Sequence, residues 1–185
     1  MLGTSINIKY PGLNILPPGV ERHIVNGGGL TAFQIYPDDE LEIINDEGNQ
    51  LCEIICFDKD GNSDAGILNL KLNNKKNFIR DLLSGSDETI LATNYQLKKR
   101  NLKISNSKSS IIFDRETRPG EKVKFKSKDK CYAIFAAPGE DLDVTKQNPP
   151  TDLTIFVKRA KIVNDKELNV IPDPVFEPAY EENIN

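Results

Sequence analysis

Histidine is almost absent from this 185-residue chain, and His23 stands alone. Without a second imidazole, neither a multi-histidine metal centre nor a histidine pair for acid–base work can be assembled. His23 therefore reads as a surface or hydrogen-bonded structural residue. Cysteine is scarce too: three thiols cannot all pair within one chain and are too few for a disulfide scaffold, which fits reduced cysteines. No apolar run approaches the ~20 residues that a bilayer span needs, and Met1 to Gly12 has neither the basic start nor the apolar centre of a secretory signal. A soluble, cytoplasmic protein with no membrane partner is the expectation. Basic charge is not in excess either. Lys and Arg number 24 against 28 Asp and Glu, for a net charge of -4, which argues against a general nucleic-acid binder. Internal repeats and low-complexity tracts are missing as well.

What is present suits a globular fold. Hydrophobic residues make up 38% and charged residues 28%, a mixture too apolar for a disordered chain, and the length fits one domain with an extension. The charge is uneven: Met1 to Leu70 is net -8, Lys71 to Lys130 is +9 and Cys131 to Asn185 is -5. Segments of opposite sign attract when folded together, which favours a single compact unit.

Strand signals dominate. Leu30 to Tyr36, Leu41 to Ile44 and Leu51 to Phe57 are β-branched and aromatic runs separated by Pro37-Asp38 and by the Asn45-to-Asn49 cluster, where Gly48 and Asn49 tolerate positive φ. Leu51 to Phe57 is apolar on both faces apart from Glu53, as expected of a strand buried from two sides. Strands resume at Ser110 to Asp114, Glu121 to Lys126, Cys131 to Ala136 and Leu153 to Ile162. Two helices are predicted between these blocks. Asn74 caps a segment with Phe78, Leu82 and Leu83 on one side, stopped by Ser84-Gly85. Ser86 caps Asp87 to Arg100, with Ile90, Leu91, Asn94 and Leu97 inward, acids in the first turn and bases in the last. The expected fold is mainly β: a sandwich or distorted barrel of about seven or eight strands with two helices in the middle. Residues 1–18 read as an N-terminal extension, 19–164 as the β domain and 165–185 as a Pro-rich linker or surface strap.

Motifs that suggest chemistry weaken when their spacing is examined. Gly27-Gly28-Gly29 precedes a strand, whereas phosphate-cradling glycines follow a strand and open a helix, so a flexible turn is expected. Asp58, Asp60, Asn62 and Asp64 alternate like calcium ligands, but Ser63 and Asn69 stand where Gly and a bidentate Glu are required, and strands are expected on both flanks. That segment reads as a solvated hairpin turn. Cys52 and Cys56 lie four residues apart on a strand, about 13 Å at ~3.3 Å per residue, too far to share one tetrahedral zinc. With Cys131 they read as buried small hydrophobes. Lys122, Lys124, Lys126, Lys128 and Lys130 alternate with Val123 and Phe125, marking a solvated face that protects an edge strand; it lacks aromatics for base stacking. Asp46, Glu47 and Glu53 gather around the Gly48-Asn49-Gln50 turn. There a lyase or hydrolase site using Glu47, Gln50 and Glu53 is the enzymatic alternative, although no nucleophile or substrate-orienting group accompanies it. A free-standing small-molecule-binding domain is the other alternative.

Read in order, Gly27-to-Phe33, Asp46-to-Gln50, Arg118-Pro119-Gly120-Glu121, Ala137-Pro138-Gly139 and Asn148-Pro149-Pro150-Thr151 form an arrangement that covers roughly Gly19 to Pro178. It resembles the N-terminal module of multidomain aminomethyltransferase-like enzymes, such as trimethylamine-oxide demethylase, related to the urea-carboxylase-associated family. The resemblance implies a second, similar module holding zinc through cysteines, and then a tetrahydrofolate-binding domain like the glycine-cleavage T protein. By analogy the second module carries Cys directly after the Gln of its turn and an acid two residues further on; here the residues are Gln50, Leu51 and Glu53. The resemblance thus implies a non-catalytic assembly module with no catalytic, cofactor or metal residue of its own. Its partners would be the metal-binding and folate-binding modules, fused or separate, and a homo-oligomer is compatible with it.

Overall fold

The structure, a computed structural model, describes residues 16–73, 77–139 and 149–161. Most of the 1–18 extension, Asn74 and the 165–185 strap lie outside the described residues. Eight strands appear among those described: β1 (Val20–Val25), β2 (Leu30–Ile35), β3 (Glu40–Asn45), β4 (Cys52–Phe57), β5 (Ser110–Ile112), β6 (Glu121–Lys126), β7 (Cys131–Ala136) and β8 (Leu153–Lys158). They form two four-stranded antiparallel sheets, ordered β1-β8-β3-β6 and β2-β7-β4-β5. Neither sheet closes on itself, so of the two expected architectures the sandwich is the one formed.

Period-two alternation decides what each face of the second sheet meets. Ile35, Cys52, Ile54, Cys56, Cys131, Ala133 and Phe135 point toward Leu41, Ile43, Leu153, Ile155 and Val157 of the first sheet, making the inter-sheet core. The alternate residues Leu30, Ala32, Ile55, Phe57, Tyr132, Ile134 and Ala136 form a second core under the helices. This explains the continuous apolar runs of β4 and β7, every residue of which is buried. Among the described residues the first sheet is covered on one face, the one that meets the second sheet. Its edge strand β6 carries Lys122 and Lys124 against Glu42, and Lys126 against Asp38, so the lysine row is a solvated edge as expected.

The helices are α1 (Phe78–Leu82) and α2 (Glu88–Lys99). The caps differ from expectation by a few residues. Asn77 takes the Arg80 N–H at 3.0 Å, and Asp87, rather than Ser86, takes the Ile90 N–H at 3.0 Å. A carboxylate accepts as well as a hydroxyl and adds charge to the positive end of the helix dipole. Leu91 also departs from the reading. Ile90, Thr93, Gln96 and Leu97 face inward, while Leu91 is 56% exposed. Val20–Val25 escaped the sequence reading because Glu21, Arg22 and His23 interrupt its apolar pattern; as an edge strand it needs only one buried side. The Leu153 strand ends at Lys158, where Arg159 turns aside. Asp58 does hold a turn, taking the N–H groups of Asp60 and Asn62, but a 3-10 helix at Ala65–Leu68 follows it rather than a strand.

Candidate functional site

Successive strands β1 to β4 alternate between the sheets, as do β5 to β8. The loops after β1, β3, β5 and β7 consequently meet at one end of the sandwich. Gly28 N–H donates to the Ala137 carbonyl (2.7 Å), Asn49 N–H to Thr117 (2.9 Å) and Gly120 N–H to Asn45 (2.7 Å). Gly48 must be glycine here: its φ is +79°, and a Cβ would stand 2.7 Å from the Thr117 carbonyl oxygen. Gly27 is similarly hemmed by the Pro150 carbonyl, so the glycine run is a turn wedged against the loop before β8.

Gln50 joins two of these loops, its own after β3 and, at two points, the one after β7. Its Nε2 donates to the carbonyls of Leu51 (2.9 Å) and Pro138 (3.1 Å), and its Oε1 accepts the Thr151 N–H (2.8 Å). Its backbone carbonyl accepts Asn45 Nδ2 at 2.8 Å. Both amide protons and the amide oxygen are thus spent on holding backbone, which leaves the side chain a positioning role and no hydrogen to trade with a substrate. Above it opens a cleft of about 240 Å³, walled by Leu51, Pro138, Pro149 and Pro150, with Glu47, Asn49 and Arg115 at its exposed polar side. Such a mixed lining can take a small molecule, but among the described residues it offers no paired nucleophile and base.

Glu47 and Gln50 come together at this cleft; Glu53 does not join them. It shares the helix-facing side of β4 with Ile55 and Phe57, is fully buried, and accepts the Ile79 N–H at 2.6 Å and the Ser109 Oγ–H at 2.5 Å. Glu47 stays in the loop after β3, whereas the pleat of β4 turns Glu53 to the helix side, which separates the carboxylates that sequence proximity placed together. Asp46 also has a structural partner, accepting Thr154 Oγ1 at 2.7 Å.

The thiols lie on the inter-sheet side, all three buried. Burial, with the charge of Glu53 beside it, pushes the Cys52 thiol far above its ordinary range. A hydrogen bond with Cys131, then burial, does the same for Cys56. Nucleophiles and zinc ligands must be thiolates, so these side chains act as apolar filling. Leu51 lines the cleft where the resemblance would have a ligating cysteine, and the neighbouring Cys52 is sealed in the core with no exposure. The cleft therefore does not fit zinc. Among the described residues, no group of three His, Cys, Asp or Glu side chains could hold an ion.

Sequence reasoning missed the charged cluster at the opposite end. Arg159 makes a bidentate contact with Glu21 (2.7 and 2.6 Å) and also reaches Asp39 (2.6 Å) and the Gln34 carbonyl (3.0 Å). Burial pushes Glu21 up, but hydrogen bonds from His23 and Arg159 and the Arg159 charge outweigh it and hold the carboxyl at about 2. His23 lies flat on Phe33, ring centres 4.1 Å apart, the structural role expected of it. The cluster ties β1, β8 and the turn between β2 and β3 to one guanidinium; no local motif marks it, because its members are up to 138 residues apart.

No protein-family model matches the chain. Over 178 residues it is 30% identical to trimethylamine-oxide aldolase of Ruegeria pomeroyi, an alignment covering 96% of this chain and 22% of that protein. A crystal structure of a DUF1989 family protein from Silicibacter pomeroyi overlaps 80% of this chain and 82% of its own, with a TM-score of 0.43 and 11% identity; at that score the likeness bears on neither fold nor function. No helix among the described residues is long and apolar enough to cross a membrane. The chain is a distant homologue of trimethylamine-oxide aldolase that spans about a fifth of that protein's length.

Proposed function

We propose that this chain serves methylated-amine metabolism as a non-catalytic N-terminal assembly module of a folate-dependent aminomethyltransferase or demethylase system. Its surfaces pack against modules, fused or separate, that hold zinc and tetrahydrofolate. The observation that carries this reading is the alignment: nearly the whole chain matches a protein named as a trimethylamine-oxide aldolase, and the match uses only 22% of that protein. The side chains agree with a scaffold. Gln50 is consumed by loop closure, Glu53 caps α1, and the thiols are sealed between the sheets.

A chimera tests the proposal. This chain replaces the matched segment of the Ruegeria protein, and assembly and trimethylamine-oxide consumption are compared with a deletion of that segment. The chimera is expected to assemble and consume substrate while the deletion does neither. Equal activity of the deletion, or turnover by this chain alone, would overturn the assembly role. A second reading, favoured by the 240 Å³ cleft, is a small-molecule-binding domain. Saturable chemical-shift changes confined to Glu47, Leu51 and Thr151 on adding small amines would support it.

A further inference from the structure

The outer stripe of α2 is unlike the rest of the helical layer. Leu91 and Tyr95 are 56% and 52% exposed although Ile90, Thr93 and Leu97 already supply the helix's inward side. On a helix, Glu88, Leu91, Tyr95 and Lys99 fall within one narrow stripe about 16 Å long. Its order is acid, apolar, apolar, base, and the mid-points of the two pairs nearly coincide, close to residue 93. A stripe of that design is its own complement. A two-fold axis through its centre would lay Leu91 and Tyr95 against their copies and bring Glu88 of each chain to Lys99 of the other. Lys99 already leans over the Tyr95 ring, with Nζ 6.0 Å from the ring centre, so it borders the apolar pair.

We propose that the occupant of this face is a second copy of the same chain, docked through antiparallel α2 helices. The argument rests on charge complementarity under two-fold symmetry and is independent of the assembly role proposed above. Two apolar side chains with flanking ion pairs are far short of the ~1,600 Å² that stable interfaces bury, so the contact is weak, with a dissociation constant of about 0.1–1 mM. Tethering within a larger assembly would supply effective concentrations in that range.

Sedimentation equilibrium of the 185-residue chain, from about 10 μM to about 1 mM, tests the pairing with matched variants. Because both side chains are exposed, Leu91→Ser with Tyr95→Ser should leave the thermal transition unchanged and abolish the concentration dependence. Glu88→Lys alone and Lys99→Glu alone each set like charges opposite one another at both ends, and each should weaken association about tenfold. An equimolar mixture of the two restores opposite charges at both ends. It should associate within about twofold of the original chain, a recovery that helix destabilisation cannot produce. A chain that stays monomeric throughout, a mixture that fails to recover, or association indifferent to Leu91 and Tyr95 would overturn the proposal. So would binding of the stripe to a folate or zinc module by a chain that does not self-associate.

Discussion

Replacement of Glu53 by Ala separates a structural carboxylate from a catalytic one. Its two oxygens accept the Ile79 N–H at 2.6 Å and the Ser109 hydroxyl at 2.5 Å in a site with no solvent exposure. Truncation strands both donors, and each buried unsatisfied group costs about 1–3 kcal/mol. The vacated volume adds a cavity term of about 1 kcal/mol after partial collapse. The expected loss is about 3–7 kcal/mol, a large part of the stability of an ordinary domain. Urea unfolding followed by far-ultraviolet circular dichroism reads it as a midpoint lowered by about 1.5–3.5 M at a slope of about 2 kcal/mol/M. Glu53→Gln keeps the shape and one acceptor, and should lose about half as much. An alanine variant within about 0.5 kcal/mol of the original chain would refute the reasoning and reopen Glu53 to a chemical role.

Two further substitutions probe the two ends of the sandwich. Gly48→Ala forces a side chain into φ +79° and against the Thr117 carbonyl, so a loss of about 2–4 kcal/mol is expected by urea unfolding; a loss below about 0.5 would mean that the loop end is not close-packed. Glu21, held at about 2 against an ordinary 4.5, stabilises the fold fully above pH 4.5, and that contribution disappears as the pH falls toward 2. The full displacement corresponds to about 3 kcal/mol, reduced by solvent screening at a side chain 34% exposed to about 1–2. Stability measured from pH 7 to pH 2 should therefore differ between the original chain and Glu21→Gln by that amount at neutral pH and converge in acid. A difference constant with pH would contradict the Arg159 contact.

The fold was legible wherever local pattern and tertiary burial agreed. β4 and β7 advertise themselves because both of their faces are covered, and β6 because its lysines alternate with Val123 and Phe125. Glu21, Arg22 and His23 hide β1 because those residues answer to partners elsewhere: Arg159 for Glu21 and the Phe33 ring for His23. Leu91 was misplaced because a helical period fixes relative positions but leaves open how wide the buried face is. The turn from Asp46 to Gln50 was recognisable from Gly48 and Asn49, whose φ values are +79° and +60°. The grouping of Glu53 with Glu47 failed for a different reason. The five intervening residues include a corner between sheets, so closeness along the chain says little about which core a side chain enters. Gln50 as a clamp was beyond sequence reading, since Pro138 and Thr151 are brought to it by the crossings between the two sheets.

The central claim is that this chain organises chemistry that other modules perform. The purified chain, supplied with trimethylamine oxide and tetrahydrofolate, is tested for bound zinc and for released formaldehyde. The account predicts less than about a tenth of an equivalent of zinc and no formaldehyde above the protein-free control, because the cleft lacks a thiolate and Glu53 is held away from it. Stoichiometric zinc together with formaldehyde release would contradict it.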